Sequence, residues 1–125
     1  EDGLDEISPY AKTNVVQLKN GKISEIIINP KELNINANKF EDLLGDNAQF
    51  NANKMLDIFK GEDNDFSKAV CLNAAAGLIV AEKHLVFKNA YDEARQHILS
   101  AKTYEDLKGI QNVWKCTRKN YKKKN

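Results

Sequence analysis

Cysteine is nearly absent from this chain. Its 125 residues hold two, Cys71 and Cys116, too few for a metal set or a disulfide framework. Cys71 falls inside an apolar helical pattern and reads as a small buried hydrophobe. Cys116 stands beside Lys115 and close to Arg118, cations that would lower its pKa, but neither thiol has the companions of a catalytic nucleophile. Histidine is equally scarce. His84 is placed at a helix end, where the dipole favours a cation, and His97 among polar residues; with no Ser or Cys motif near them, general-base roles are set aside. No apolar run approaches the roughly 20 residues needed to cross a bilayer. The first residues lack the basic, apolar, small-residue pattern of a secretory leader, and with so few thiols the expectation is a cytoplasmic protein.

Net charge is small too, +1 from 19 Lys or Arg against 18 Asp or Glu. It is unevenly spread: residues 102–125 hold eight Lys or Arg against two acids, about +6, and the remainder is about −5. Such an asymmetry can mark an arm for nucleic acid or a membrane surface. Lys122-Lys123-Lys124 at the extreme terminus reads instead as a solvated end, so neither nucleic acid nor membrane is expected as a partner. The 42% apolar and 30% charged composition is that of one ordinary globular domain.

Local structure is most legible early. Thr13-Asn14-Val15-Val16-Gln17-Leu18 and Ile23-Ser24-Glu25-Ile26-Ile27-Ile28 are rich in β-branched residues, and Asn20-Gly21 between them suits a type I′ turn, so residues 13–29 are expected to form a hairpin. Ile26 and Ile28 share one face and Ile23 and Ile27 the other, so both faces are expected to be partly covered. Pro30 ends the second strand, and Asn34 to Asn38 reads as a loop with at most one helical turn.

Helices follow. Ala52, Met55, Leu56 and Phe59 fall at helical spacing before Gly61, with Met55 and Phe59 read as core. Asp65 is placed to cap the next helix, Phe66 to Lys83, whose nearly continuous apolar circumference makes it central. Its Ala74-Ala75-Ala76-Gly77 run permits close approach of another element. Asn73 beside it needs hydrogen-bond partners if buried, and a structural bond to a neighbouring turn is preferred over a ligand contact. A third helix is expected over about 90–101, and an amphipathic one over about 104–121 carrying Leu107, Ile110, Val113 and Trp114. The expected buried set is Val16, Ile26, Ile28, Leu56, Phe59, Val70, Ile79 and Ile98.

The candidate site is Asp5-Glu6, two adjacent carboxylates two residues after Gly3. Magnesium takes hard oxygen ligands, commonly one or two carboxylates completed by water and substrate phosphates. Adjacent acids can serve one ion only off a regular strand, where successive side chains point to opposite faces, and Gly3 supplies the freedom for a turn. On the dipeptide alone a solvated pair in a turn is the default reading, acids being surface residues. The neighbours change it. Gly3-Leu4-Asp5-Glu6-Ile7-Ser8, with Thr13 beyond, resembles the corresponding block of anthranilate phosphoribosyltransferases. Ile28-Asn29-Pro30 with Glu32-Leu33, then Asn51-Ala52 through Phe59-Lys60-Gly61-Glu62, then Leu72-Asn73-Ala74-Ala75, resemble later segments of that family in the same order; Asn34 stands where a glycine is usual.

The resemblance implies an α/β fold: the C-terminal portion of a nucleoside phosphorylase/phosphoribosyltransferase-type domain, a β-hairpin followed by three to four helices. Residues 1–102 would belong to that domain and 103–125 to a C-terminal amphipathic helix and basic tail. It implies transfer of a phosphoribosyl group from phosphoribosyl pyrophosphate to anthranilate, with Mg²⁺ as cofactor and Asp5 and Glu6 as its ligands. The family's Gly-Thr-Gly-Gly-Asp pyrophosphate loop and Lys-His-Gly-Asn segment do not occur in this sequence. The chain is therefore expected to be inactive alone; a companion N-terminal half and a homo-oligomer are both left open as partners. Two alternatives stand beside this reading: a pyrimidine nucleoside phosphorylase relative, against which the Asp-Glu block counts, and a non-catalytic remnant or binding module of the same fold.

Overall fold

The computed structural model describes residues 2–122, with side chains as far as Trp114. The expectations for Cys116 and for Lys122-Lys123-Lys124 lie outside the described side chains. An irregular segment leads into an antiparallel hairpin, β1 (Thr13–Lys19) and β2 (Lys22–Ile28). Two short 3-10 turns, Pro30–Leu33 and Phe40–Leu43, precede four helices: α1 (Ala48–Phe59), α2 (Asp65–Val80), α3 (Phe87–Leu99) and α4 (Lys102–Lys122). The expected hairpin followed by helices is thus present.

Asn20 (φ 51°) and Gly21 (φ 73°) both take the left-handed backbone that a two-residue type I′ turn requires. That turn sets the register, pairing Val15 with Ile26 and Leu18 with Ile23. One face, through Val15 and Ile28, meets the helices. The other does not. On that bare face Val16 is 70% exposed, with Leu18, Ile23 and Ile27 beside it; Ile26 shares the face of Val15 and Ile28 yet is still 41% exposed, so the expectation that Val16 and Ile26 were buried is wrong. Among the described residues the sheet has only these two strands, so each keeps an unpaired edge.

The core lies where α2 packs along α3, closed by α1 and the first 3-10 turn. Leu72, Ala75, Ala90 and Ile58 are fully buried, with Cys71, Tyr91, Ile98, Ile35 and Ile28 around them. Of the remaining residues expected in the core, Leu56, Phe59, Val70 and Ile79 are half-buried, and Met55 is on the exposed side of that divide. The small residues of α2 do not act as a block. Ala75 faces the core, but Ala74 and Gly77 face solvent, and Val80 at the helix end is 83% exposed.

Helix ends differ from expectation for local reasons. Asn64, not Asp65, caps α2: its side chain accepts from Ser67 N at 2.9 Å while Ser67 Oγ accepts from Asn64 N at 3.0 Å, a reciprocal capping box. Asp65 is instead the first helical residue. At the other end Glu82 adopts a left-handed conformation (φ 55°), which stops α2 at Val80 rather than Lys83. His84 lies beyond the helix and reaches Glu93 of α3.

Candidate functional site

Asp5 and Glu6 sit in an exposed bend of the segment before β1, off any strand. Gly3, at φ +81°, turns the chain into it. Among the described residues neither carboxylate has a hydrogen-bond or ion-pair partner, and no group of three or more His, Cys, Asp and Glu is gathered anywhere. Both acids are therefore presented to solvent with their oxygens free.

The bend is loose only at its tip. Ser8 and Pro9 just after it are buried. The Ser8 hydroxyl donates to the Asp2 carboxylate and accepts from the amides of Tyr10 (3.0 Å) and Ala11 (3.2 Å), tying residues 2 and 8 together across the acids. Desolvation raises the Asp2 pKa, but the Ser8 hydroxyl and the Leu4 amide outweigh it and hold the carboxyl below its usual range. Thr13 at the start of β1 accepts from Ser8 N at 3.1 Å, so the threonine singled out with the motif closes it. From α2, Asn73 accepts from Ile7 N at 3.1 Å and donates to Ile7 O at 3.3 Å and Ala69 O at 2.9 Å. The expected structural bond from Asn73 to a neighbouring turn is present, and the turn is the one that carries the acids.

A second anchor escaped sequence reasoning. Asp65, 4% exposed, accepts from the amides of Asn38 and Lys39, each at 2.7 Å, and pairs with Lys68 Nζ at 2.6 Å. Tyr10 Oη lies 2.6 Å from Lys39 O and 3.3 Å from Asp65 Oδ2, and its ring tilts against Phe40 at 5.7 Å. Desolvation pushes the Asp65 carboxyl up, but Lys68 and the two amides win and lower its pKa from the usual 3.8. The signal in the sequence, an Asp at the first turn of a helix, is one shared with ordinary caps.

Among the described residues no cysteine or histidine enters the site. Cys71 is buried and desolvation drives its thiol up to about 11, the state of an inert core thiol. His97 meets Asp106 at 3.0 Å on the surface between α3 and α4.

Residues 1–104 match the family model described as "Glycosyl transferase family, a/b domain". A protein of Pelagibacter ubique (strain HTCC1062) named anthranilate phosphoribosyltransferase is 80% identical over 113 residues, covering 90% of this chain and 34% of that protein. Proteins of the same name from Alkaliphilus metalliredigens and Dictyoglomus thermophilum are 39% and 38% identical, over 78% and 84% of this chain and 29% and 32% of their own lengths. The chain thus spans about a third of the length of these curated relatives.

Proposed function

Since the chain belongs to the glycosyl transferase family through its a/b domain, we infer that it forms part of an anthranilate phosphoribosyltransferase. In that reaction the anthranilate nitrogen bonds to the anomeric carbon of ribose as the carbon–oxygen bond to pyrophosphate breaks, and the amine proton is lost. The relatives' names support this assignment over a nucleoside phosphorylase. The carrying observation is the acidic bend: two adjacent, exposed carboxylates without partners among the described residues, beside a segment anchored on α2.

That donor set fits magnesium as this reaction would use it. Two carboxylates cannot enclose the ion, which keeps several waters and takes substrate phosphate oxygens for the rest, and free oxygens at an exposed turn leave room for both. Asp5 and Glu6 would hold it. Bound there, magnesium supplies positive charge to the leaving pyrophosphate. The chain's own contribution is position: Ser8, Thr13 and Asn73 fix the backbone behind the acids, so that their placement is set before substrate arrives. Sparse cysteine supports a cytoplasmic setting for the reaction.

The test uses a protein extended upstream to its relatives' length, with anthranilate, phosphoribosyl pyrophosphate and magnesium, followed by loss of anthranilate fluorescence. Asp5→Asn with Glu6→Gln lowers turnover by about 10²–10³-fold, and because both side chains are exposed and unpartnered, the melting temperature stays within about 2 °C. Full activity in the double variant would remove both residues from the site. The 125 residues alone, without a glycine-rich pyrophosphate loop, show no turnover.

A further inference from the structure

One side chain on α2 controls two consecutive peptide planes behind the acids. The amide of Ile7 belongs to the Glu6–Ile7 peptide, and the Ile7 carbonyl to the Ile7–Ser8 peptide; Asn73 holds both, accepting from the first at 3.1 Å and donating to the second at 3.3 Å. Its other donated bond, to Ala69 O at 2.9 Å one helical turn back, fixes the side chain itself on the helix. Using one oxygen as acceptor and one NH₂ group as donor to two carbonyls defines the amide orientation, and aspartate, with no donor, cannot reproduce it. Downstream, Ser8 is buried and tied to Thr13. Upstream of Ile7, Leu4 N reaches only Asp2, and Asp5 and Glu6 bond to no described residue. The direction in which Glu6 leaves the fold therefore depends on Asn73.

We propose that Asn73 is the positioning residue of the acidic turn, a residue that never touches metal or substrate but sets the geometry in which Asp5 and Glu6 take a phosphate-bound divalent cation. The inference rests on the assignment of those two acids above. Without Asn73 the backbone at Ile7 loses both of these bonds and is restrained by the Asp2–Ser8 tie and the packing of Ile7 on the core, so a smaller fraction of turns is competent and the apparent affinity falls in proportion to that fraction. With two backbone bonds lost, the fall is about tenfold.

The test uses the 125-residue chain with Mn²⁺ as a paramagnetic probe and inorganic pyrophosphate, read by NMR. In the natural sequence, Mn²⁺ with pyrophosphate broadens the amides of residues 4–7, and the Ile7 amide exchanges slowly. Asn73→Ala moves the broadening midpoint to about tenfold higher Mn²⁺ and speeds Ile7 exchange, while amides of Leu72 and Ala90 in the core keep their shifts, which a general loss of structure would not allow. Asn73→Asp, which keeps the side chain's size and its bond to Ile7 N, gives an intermediate midpoint and carries the test should the alanine variant not fold. An unchanged midpoint in both variants overturns the proposal. Absence of broadening at residues 4–7 in the natural sequence overturns it differently, by removing the metal assignment beneath it.

Discussion

Replacing Asp65 by alanine should be the most damaging single change to this fold that leaves every apolar contact of the core in place. The residue is 4% exposed and serves as acceptor for two backbone amides and a lysine. Each hydrogen bond to a charged acceptor contributes about 1.5–3 kcal/mol, and breaking a buried pair by removing one partner costs about 3–5 kcal/mol. The lower end applies here. Asn38 and Lys39 lie at the surface, where water can replace part of the loss, and Lys68, 23% exposed, keeps its bond to Asn36 O. The expected cost is about 3 kcal/mol, or roughly 10–15 °C in melting temperature for a chain of this size. Asp65→Asn, retaining an acceptor for the amides but losing the ion pair, should cost about half as much.

The pH dependence supplies a second reading of the same residue. Its folded pKa is lowered, so its contribution is complete above the usual 3.8 and disappears as pH falls through the lower folded value. Urea unfolding followed by circular dichroism should therefore show the gap between the natural sequence and Asp65→Asn closing below about pH 4. A gap that stays constant down to pH 2.5, or an alanine variant within about 0.5 kcal/mol of the natural sequence, would refute the assignment of Asp65 as a charged anchor.

Two further changes test other parts of the fold. Gly61 stands at φ +103° with an added Cβ only 3.0 Å from Leu99 O, whereas Gly21, at φ +73°, has open space; Gly61→Ala should cost about 2 kcal/mol and Gly21→Ala about 1, and equal costs by thermal unfolding would remove the close approach as a cause. The bared hairpin face should drive self-association that Leu18→Lys with Ile23→Glu, facing each other across the strands, suppresses with little effect on stability; light scattering that does not change with concentration in the natural sequence would contradict this.

Features set by neighbours in sequence were legible, and features set by distant packing were not. The hairpin could be read because Asn20 and Gly21 alone select the turn, and the helices because their apolar spacing is local. The bond from Asn73 was readable as a need, a polar group among small apolar residues, though its partner at Ile7 was not. Burial of Val16 was misjudged because apolar residues on both faces of a strand ordinarily mean two covered faces, and within the described residues only the Val15 face meets the helices; Ile26 lies on that face but is covered only in part. Asn64 and Asp65 are both good caps, and the choice between them turned on Ser67 standing where Glu or Gln is the usual partner.

The bond between Ile7 and Asn73 also has a history in time. Its two ends are 66 positions apart, whereas the hairpin closes over two residues and needs no help from the rest of the chain to begin. Local closure takes about microseconds, and contacts of long sequence separation must wait for the entropy of the intervening loop to be overcome. On a ribosome the acidic turn is made first and its holder emerges 66 residues later. The acidic turn is thus made ahead of the side chain that fixes the backbone behind it, and a chain interrupted before α2 would carry both carboxylates without Asn73 to hold Ile7.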